Sequence, residues 1–244
     1  MSLHASRPQK TALILSRRIV EDIRRNDYHI GDRLPPERIM LEDYQVGRGT
    51  LREALRFLEL QNVISLKPGP GGGPTVEKPD ASTLAAAMLL LLQFEGATFS
   101  SIVEARMDLE PLFARLSSQR LTDEGLDALA ASVDQMRENI NDHQIFLHTN
   151  REFHDMLAWG SQNPVYGFLL DAMMGILDGT SMGVDYPLRR REAALASHTQ
   201  ILEAIMRRDA DASWEAMNEH IGQGMTYFQK KYPEVMTQTI TWGP

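Results

Sequence analysis

The chain has 244 residues, 43% of them hydrophobic, no cysteine, and a formal net charge of -8. That length supports one large or two smaller cores, and a chain without cysteine forms no disulfide and performs no thiol catalysis. The longest apolar run, Leu84 to Leu92, is too short for a bilayer span of roughly 20 residues and no cleavable signal pattern opens the chain, so we expect a soluble, cytoplasmic protein with no membrane partner.

The charge is unevenly spread. Residues 1–78 carry 13 Lys and Arg against 10 Asp and Glu, a net of +3, whereas the remainder carries 12 against 23, a net of -11. A modestly positive first part can bind phosphate, while an acidic second part is repelled by it, which argues against a general nucleic-acid coat.

Residues 1–8 read as an arm. Pro35 and Pro36 stand where a helix begins without losing an internal hydrogen bond, and Glu37 suits the positive end of the dipole, predicting a helix over Glu37–Tyr44. Gln45, Val46 and Gly47 interrupt it, with Val46 as an apolar plug and Gly47 as the residue expected to free the backbone for a sharp turn. The helical period resumes at Arg48, where Leu51, Ala54, Leu55 and Leu58 mark a buried face. At 100° per residue Arg48, Arg52 and Arg56 fall within about 80° of one another beside that face, so they can address one surface. In a recognition helix such arginines read guanine or hold phosphate, and Gly49 would let the backbone approach a duplex. The alternative is an ordinary solvated face, with the arginines paired to Glu53 or Glu59. Val63–Lys67 and Thr75–Val76 then read as two short strands joined by a Pro- and Gly-rich turn, a wing, with 67–80 also linking the two parts of the chain.

These residues resemble the GntR family of bacterial transcription regulators, which are winged helix-turn-helix proteins. The family's Gly-Asp-x-Leu-Pro-x-Glu-Arg run appears as Gly31 to Arg38, its turn and recognition helix as Val46 to Leu55, and its wing as Gly69 to Val76. The resemblance implies DNA contacts by Arg38, Arg48, Thr50 and Arg52, with the wing near Gly69 and Gly71 reaching the minor groove. Gly47 in place of the usual serine, and Gly49 where a side chain often meets DNA, are departures that leave the fold intact but alter the expected base preference.

From Ala81 the pattern is helical almost throughout, over 81–94, 98–118, 122–139, 142–159, 163–178, 187–208 and 210–230, with Thr122 as a cap. The fold class expected is therefore mainly α: a winged helix-turn-helix over residues 9–78, and an all-α antiparallel bundle of about seven helices over 81–231. Within it, His154 follows Asn150 by one turn, while His198 and His220 each sit beside an apolar face. Asn150 and His154 can face one ion and the other two histidines can supply further nitrogens; the plainer reading is three separately hydrogen-bonded core histidines. The bundle also resembles the FCD effector-binding domain of the FadR-type GntR subfamily, whose metal-binding members use Asp-x-x-x-His plus two later histidines. That implies Asn150, His154, His198 and His220 as a ligand set, with the neutral Asn150 in place of aspartate weakening it. Zn²⁺ or Ni²⁺ suits three imidazoles plus an open position.

Arg106 lies on or beside the apolar face of its helix, where a lone charge is costly, so an anion is expected to meet it. Glu110, one turn on, is the structural candidate; a carboxylate effector, held by Arg106 and the metal, is the functional one implied by the resemblance. Together these features predict a ligand-responsive regulator that binds a palindromic double-stranded operator as a homodimer. A metal-dependent enzyme using the three histidines is the second reading, weakened because no paired glutamate stands at motif spacing to act as base. A nonspecific architectural DNA-binding protein is the third.

Overall fold

The computed structural model describes residues 7–67, 69, 72–176 and 184–241. They divide into two compact units between Thr83 and Leu84.

The first unit opens with α1 (Arg7–Arg25), a helix the sequence reading did not single out. Its Ala12, Leu15, Ile19 and Ile23 recur every three or four residues and are all buried. This stripe packs on α3 (Arg48–Leu60), whose Leu51, Ala54, Leu55 and Leu58 form the expected inner face. Each such leucine contributes about 1.5–3 kcal/mol by leaving water. Ser16 sits between the two helices and donates to the carbonyls of Ala12 at 2.9 Å and Ala54 at 3.2 Å, so the buried hydroxyl is satisfied.

Between them lies α2 (Glu37–Tyr44), bounded as the prolines predict, and Val46 packs against the core as the expected plug. The turn itself is made elsewhere than expected. Gln45 takes the left-handed conformation at φ 52° and ψ 45°, whereas Gly47 is extended at φ -74° and ψ 155°. The polar Gln45 tolerates that strained region at the end of α2, so Gly47 is not required by the backbone.

The wing is a two-stranded antiparallel sheet of β1 (Ile64–Lys67) and β2 (Gly73–Val76), paired from Ile64 opposite Val76 to Lys67 opposite Gly73. β2 starts two residues before the predicted strand. Its outer edge is covered by residues 31–34: the Gly31 and Leu34 amides donate to Val76 and Pro74, and Val76 donates back to Asp32. This partner across the edge explains why residues 73 and 74 join the strand despite Gly and Pro.

The second unit is helical. α4 (Ser82–Phe94) begins at the division, followed by α5 (Phe99–Arg120), α6 (Asp123–Glu138), α7 (His143–Gly160), α8 (Pro164–Ile176), α9 (Leu188–Met206) and α10 (Ala210–Lys231). These are the seven expected helices, their bounds within two residues of the reading wherever the residues are described. A short α11 (Pro233–Thr237) was not anticipated; Met236 and Ile240 fill a core cluster with Phe99 and Phe228. Side-chain caps set where the site-bearing helices start. Thr122 accepts from the Gly125 amide, Asp142 from Gln144 and Ile145, and Asp209 from Ala212. The last two fix the beginnings of α7 and α10, and with them the rotation that turns His154 and His220 inward.

Candidate functional site

On the first unit, the outer surface of α3 presents Arg48, Arg52 and Arg56 to solvent, with Thr50 half-buried at its edge. Arg52 Nε faces Glu37 Oε2 at 3.5 Å, and Arg38 pairs with Glu42 at 2.8 Å. Of the expected alternative partners, Glu59 accepts from the Leu66 amide of the wing. Arg52 is thus held on its Nε side, and both pairs are exposed enough to exchange for phosphate at little cost. A Cβ on Gly49 would meet nothing within 4 Å, so this position is an open notch in the outer face of the helix. In the wing, Gly69 is exposed with φ 96°, and a Cβ on Gly72 would fall 2.1 Å from the Lys67 carbonyl oxygen, which only glycine avoids. Gly71 lies outside the described residues.

In the second unit, His154 of α7, His198 of α9 and His220 of α10 converge although up to 66 positions separate them. All three are buried, and one ligand nitrogen from each lies within 4.8 Å of the others. His220 Nε2 is 3.2 Å from His198 Nε2 and 3.4 Å from His154 Nε2. The His198 ring stacks on Phe153, centroids 4.0 Å apart, which sets its plane.

Behind His154 stands Glu110 of α5, buried, with Oε2 against His154 Nδ1 and Oε1 accepting from Arg106 Nε. Burial alone would raise its pKa, but Arg106 and His154 hold the Glu110 carboxyl well below the usual carboxylate range. Glu110 stands behind the His154 ring and braces it, with His154 Nε2 turned toward His220 Nε2. Arg106 therefore meets the structural anion expected of it, and that anion also orients a histidine.

The donor set fits a divalent ion. Tetrahedral zinc with nitrogens at roughly 2.05 Å places those nitrogens about 3.3 Å apart, close to the two short separations here. Burial first, then the neighbouring histidines, push the pKa values of His198 and His220 well below the ordinary value. Both rings are thus kept in the neutral form that binds metal. The unfolded chain takes up protons below about pH 6.5 that these two folded rings refuse, so stability falls as pH drops through that value. For chelator-treated protein we expect the thermal midpoint to fall by about 5 °C between pH 7.5 and 5.5. A His198→Asn, His220→Asn double variant should show a shallower fall; an identical pH dependence would contradict the buried neutral state.

A cavity of about 50 Å³ opens beside the cluster, lined by Arg106, Asn150, His154, Tyr186, Arg190 and His220 among others. Asn150 is half-buried and shares this cavity with His154, as their one-turn spacing predicts. Two contributors escaped the sequence reading. Glu110 was weighed only as a partner for Arg106, because its meeting with His154 spans two helices. Arg190 had a signal: Arg190, Ala194 and His198 recur at four-residue intervals along one stripe of α9.

Comparison with known proteins matches both units. Residues 12–72 match the family model described as bacterial regulatory proteins, gntR family, and residues 101–223 match that of the FCD domain. The HTH-type transcriptional repressor NanR of Cronobacter sakazakii is 25% identical over 227 residues, covering 91% of this chain and 86% of its own. The uncharacterized HTH-type transcriptional regulator YcbG of Bacillus subtilis is 26% identical over 204 residues, covering 84% of each. The solved structure of Streptococcus agalactiae GntR matches with a TM-score of 0.69 and 27% identity over 88% of this chain and 99% of its own.

Proposed function

The chain belongs to the gntR family of bacterial regulatory proteins, with an FCD domain in its second unit, and from that membership we propose how its residues divide the work of a ligand-responsive, DNA-binding transcription regulator. It is a regulator and not an enzyme, so the three histidines serve binding rather than turnover. In this reading Arg48, Thr50 and Arg52 address base edges and adjoining phosphates in the major groove, Arg38 holds the backbone, and the wing near Gly69 and Gly71 enters the minor groove.

The observation that carries the effector half is the convergence of three buried imidazoles beside a cavity containing Arg106 and Asn150. His154, His198 and His220 would hold Zn²⁺ or Ni²⁺, with Asn150 as a neutral and weaker fourth donor; the ion would supply a Lewis-acidic position for an oxygen ligand. Glu110 keeps His154 oriented, and the cavity admits a small organic acid. The effector acts by preferring one arrangement of the chain over another, which shifts the population that fits the operator. Such a protein works in the cytoplasm, where its DNA is.

Two copies read a palindrome where one recognition helix reads too few base pairs. The dimer face we assign is α4. Its 13 residues, Ser82 to Phe94, carry no charge, and none is buried; Leu84 is 44%, Leu91 67% and Phe94 84% exposed. Leu84, Leu91 and Phe94 share one stripe at 100° per residue, and a helix apolar all round normally has cover on every side. In an otherwise acidic unit, this uncharged face is where two copies meet without repulsion. The test is a palindromic duplex selected by the protein from random DNA, compared with its half-site and with unselected sequence. The wild type should scatter light as a dimer and prefer the palindrome over unselected DNA by about 10³-fold or more. Leu91→Glu should yield a folded monomer that has lost the advantage of palindrome over half-site. Equal affinity for all three duplexes would overturn the regulator reading, and a wild-type monomer would overturn the dimer.

A further inference from the structure

We propose that Arg190, rather than Arg106, is the receptor for the anionic group of the effector, and that the cavity takes a single carboxylate on a small organic acid. The inference rests on the effector-pocket reading and deepens it. The two arginines that line the cavity differ in one decisive respect. Arg106 is matched by Glu110, whose two oxygens are engaged by Arg106 Nε and His154 Nδ1. The guanidinium of Arg190 has no carboxylate and no hydrogen-bond acceptor among the described residues, and its Nε is buried without a partner. The guanidinium lies over the face of Tyr227, 5.1 Å from the ring centroid, a neutral surface that supplies no counterion and no acceptor for its N–H donors.

Charge in the cavity sharpens the assignment. Arg106 and Glu110 cancel. Arg190 is then a cation without a counterion in a partly desolvated wall, an arrangement that costs stability unless a ligand completes it. Burial indeed lowers the Arg190 pKa, marking the same lack of compensation. Access for the fork is provided by α10: a Cβ on Gly224 would come within 3.4 Å of Arg190 Nη2, and glycine keeps that space open. The planar guanidinium presents two parallel donors that match one carboxylate. The volume of about 50 Å³ holds about four water molecules, the scale of acetate.

Acetate and its uncharged counterpart acetamide are therefore the probes, titrated calorimetrically into the full chain as purified and again after chelator treatment. Wild type should bind acetate at least tenfold tighter than acetamide in both preparations. Arg190→Gln should lose that discrimination, while its thermal midpoint without acetate stays level or rises because an uncompensated charge has gone. Arg190→Lys, which keeps the charge but not the fork, should fall between. Asp178 is the control, being the acidic side chain that lies outside the described residues. Asp178→Asn should change neither acetate affinity nor midpoint. No saturable acetate binding in the wild type, or equal acetate affinity in wild type and Arg190→Gln, would overturn the proposal. So would a drop in midpoint shared by Arg190→Gln and Asp178→Asn, which would identify Asp178 as a structural partner. Wild type failing to bind operator or zinc would undo the broader reading while leaving the acetate result standing.

Discussion

His154→Ala is expected to abolish stoichiometric metal binding, lowering affinity for Zn²⁺ at least 100-fold. The ring removed supplies one of three nitrogens and is the one oriented by a buried carboxylate, so no neighbouring donor replaces it. Elemental analysis of protein purified without chelator should show about one ion per chain in the wild type and none in the variant. Glu110→Gln is the informative companion, because it keeps all three rings but substitutes a neutral amide behind His154. An outer-shell change of this kind typically weakens metal binding 10- to 100-fold. It also deprives Arg106 of its counterion, so the variant should lose stability even without metal. If neither wild type nor variants hold an ion after zinc addition, the cluster is a structural packing of buried imidazoles.

The second large effect concerns Arg52. Arg52→Ala should weaken binding to the selected operator by about 10- to 100-fold at fixed salt, the equivalent of one bidentate base contact, with helix content and thermal midpoint unchanged. The side chain is exposed and its nearest anion, Glu37, is 3.5 Å away, so little folding energy is at stake. Two outcomes separate base reading from phosphate holding. A base contact relaxes the preference at one operator position, whereas a phosphate contact weakens all sequences alike and reduces the salt slope by about one. Unchanged operator affinity would remove Arg52 from the interface.

Much of this was legible in local pattern. Pro36 and Glu37 announced the start of α2, the recurrence of Leu51, Leu55 and Leu58 at spacings of four and three announced the buried side of α3, and Thr122 capped α6 where its side chain predicts. Errors arose where the deciding partner was remote. Gly47 invited a turn that Gln45 makes instead, because the position of the bend is set by how α2 and α3 pack, and a glycine permits positive φ without requiring it. Residues 73 and 74 look unlike strand yet pair with β1, since residues 31–34 cover their other edge. Helix α1 carries an ordinary amphipathic stripe and lay unremarked beside the more distinctive helix-turn-helix motif.

The one-turn spacing of Asn150 and His154, the stripe from Arg190 to His198, and the basic outer side of α3 are properties of single helices, readable because 3.6 residues per turn fixes which side chains share a face. The sequence by itself thus determined a winged helix-turn-helix followed by a helical bundle, and which histidines can face inward. Only the tertiary structure decided that three of those rings meet with nitrogens 3.2 and 3.4 Å apart, that Glu110 closes on His154 from another helix, and that Arg106 is neutralised while Arg190 is not. Those outcomes depend on the rotation and offset of helices packed against one another, and a shift of one residue in any of them would move a donor by roughly 100° around its axis.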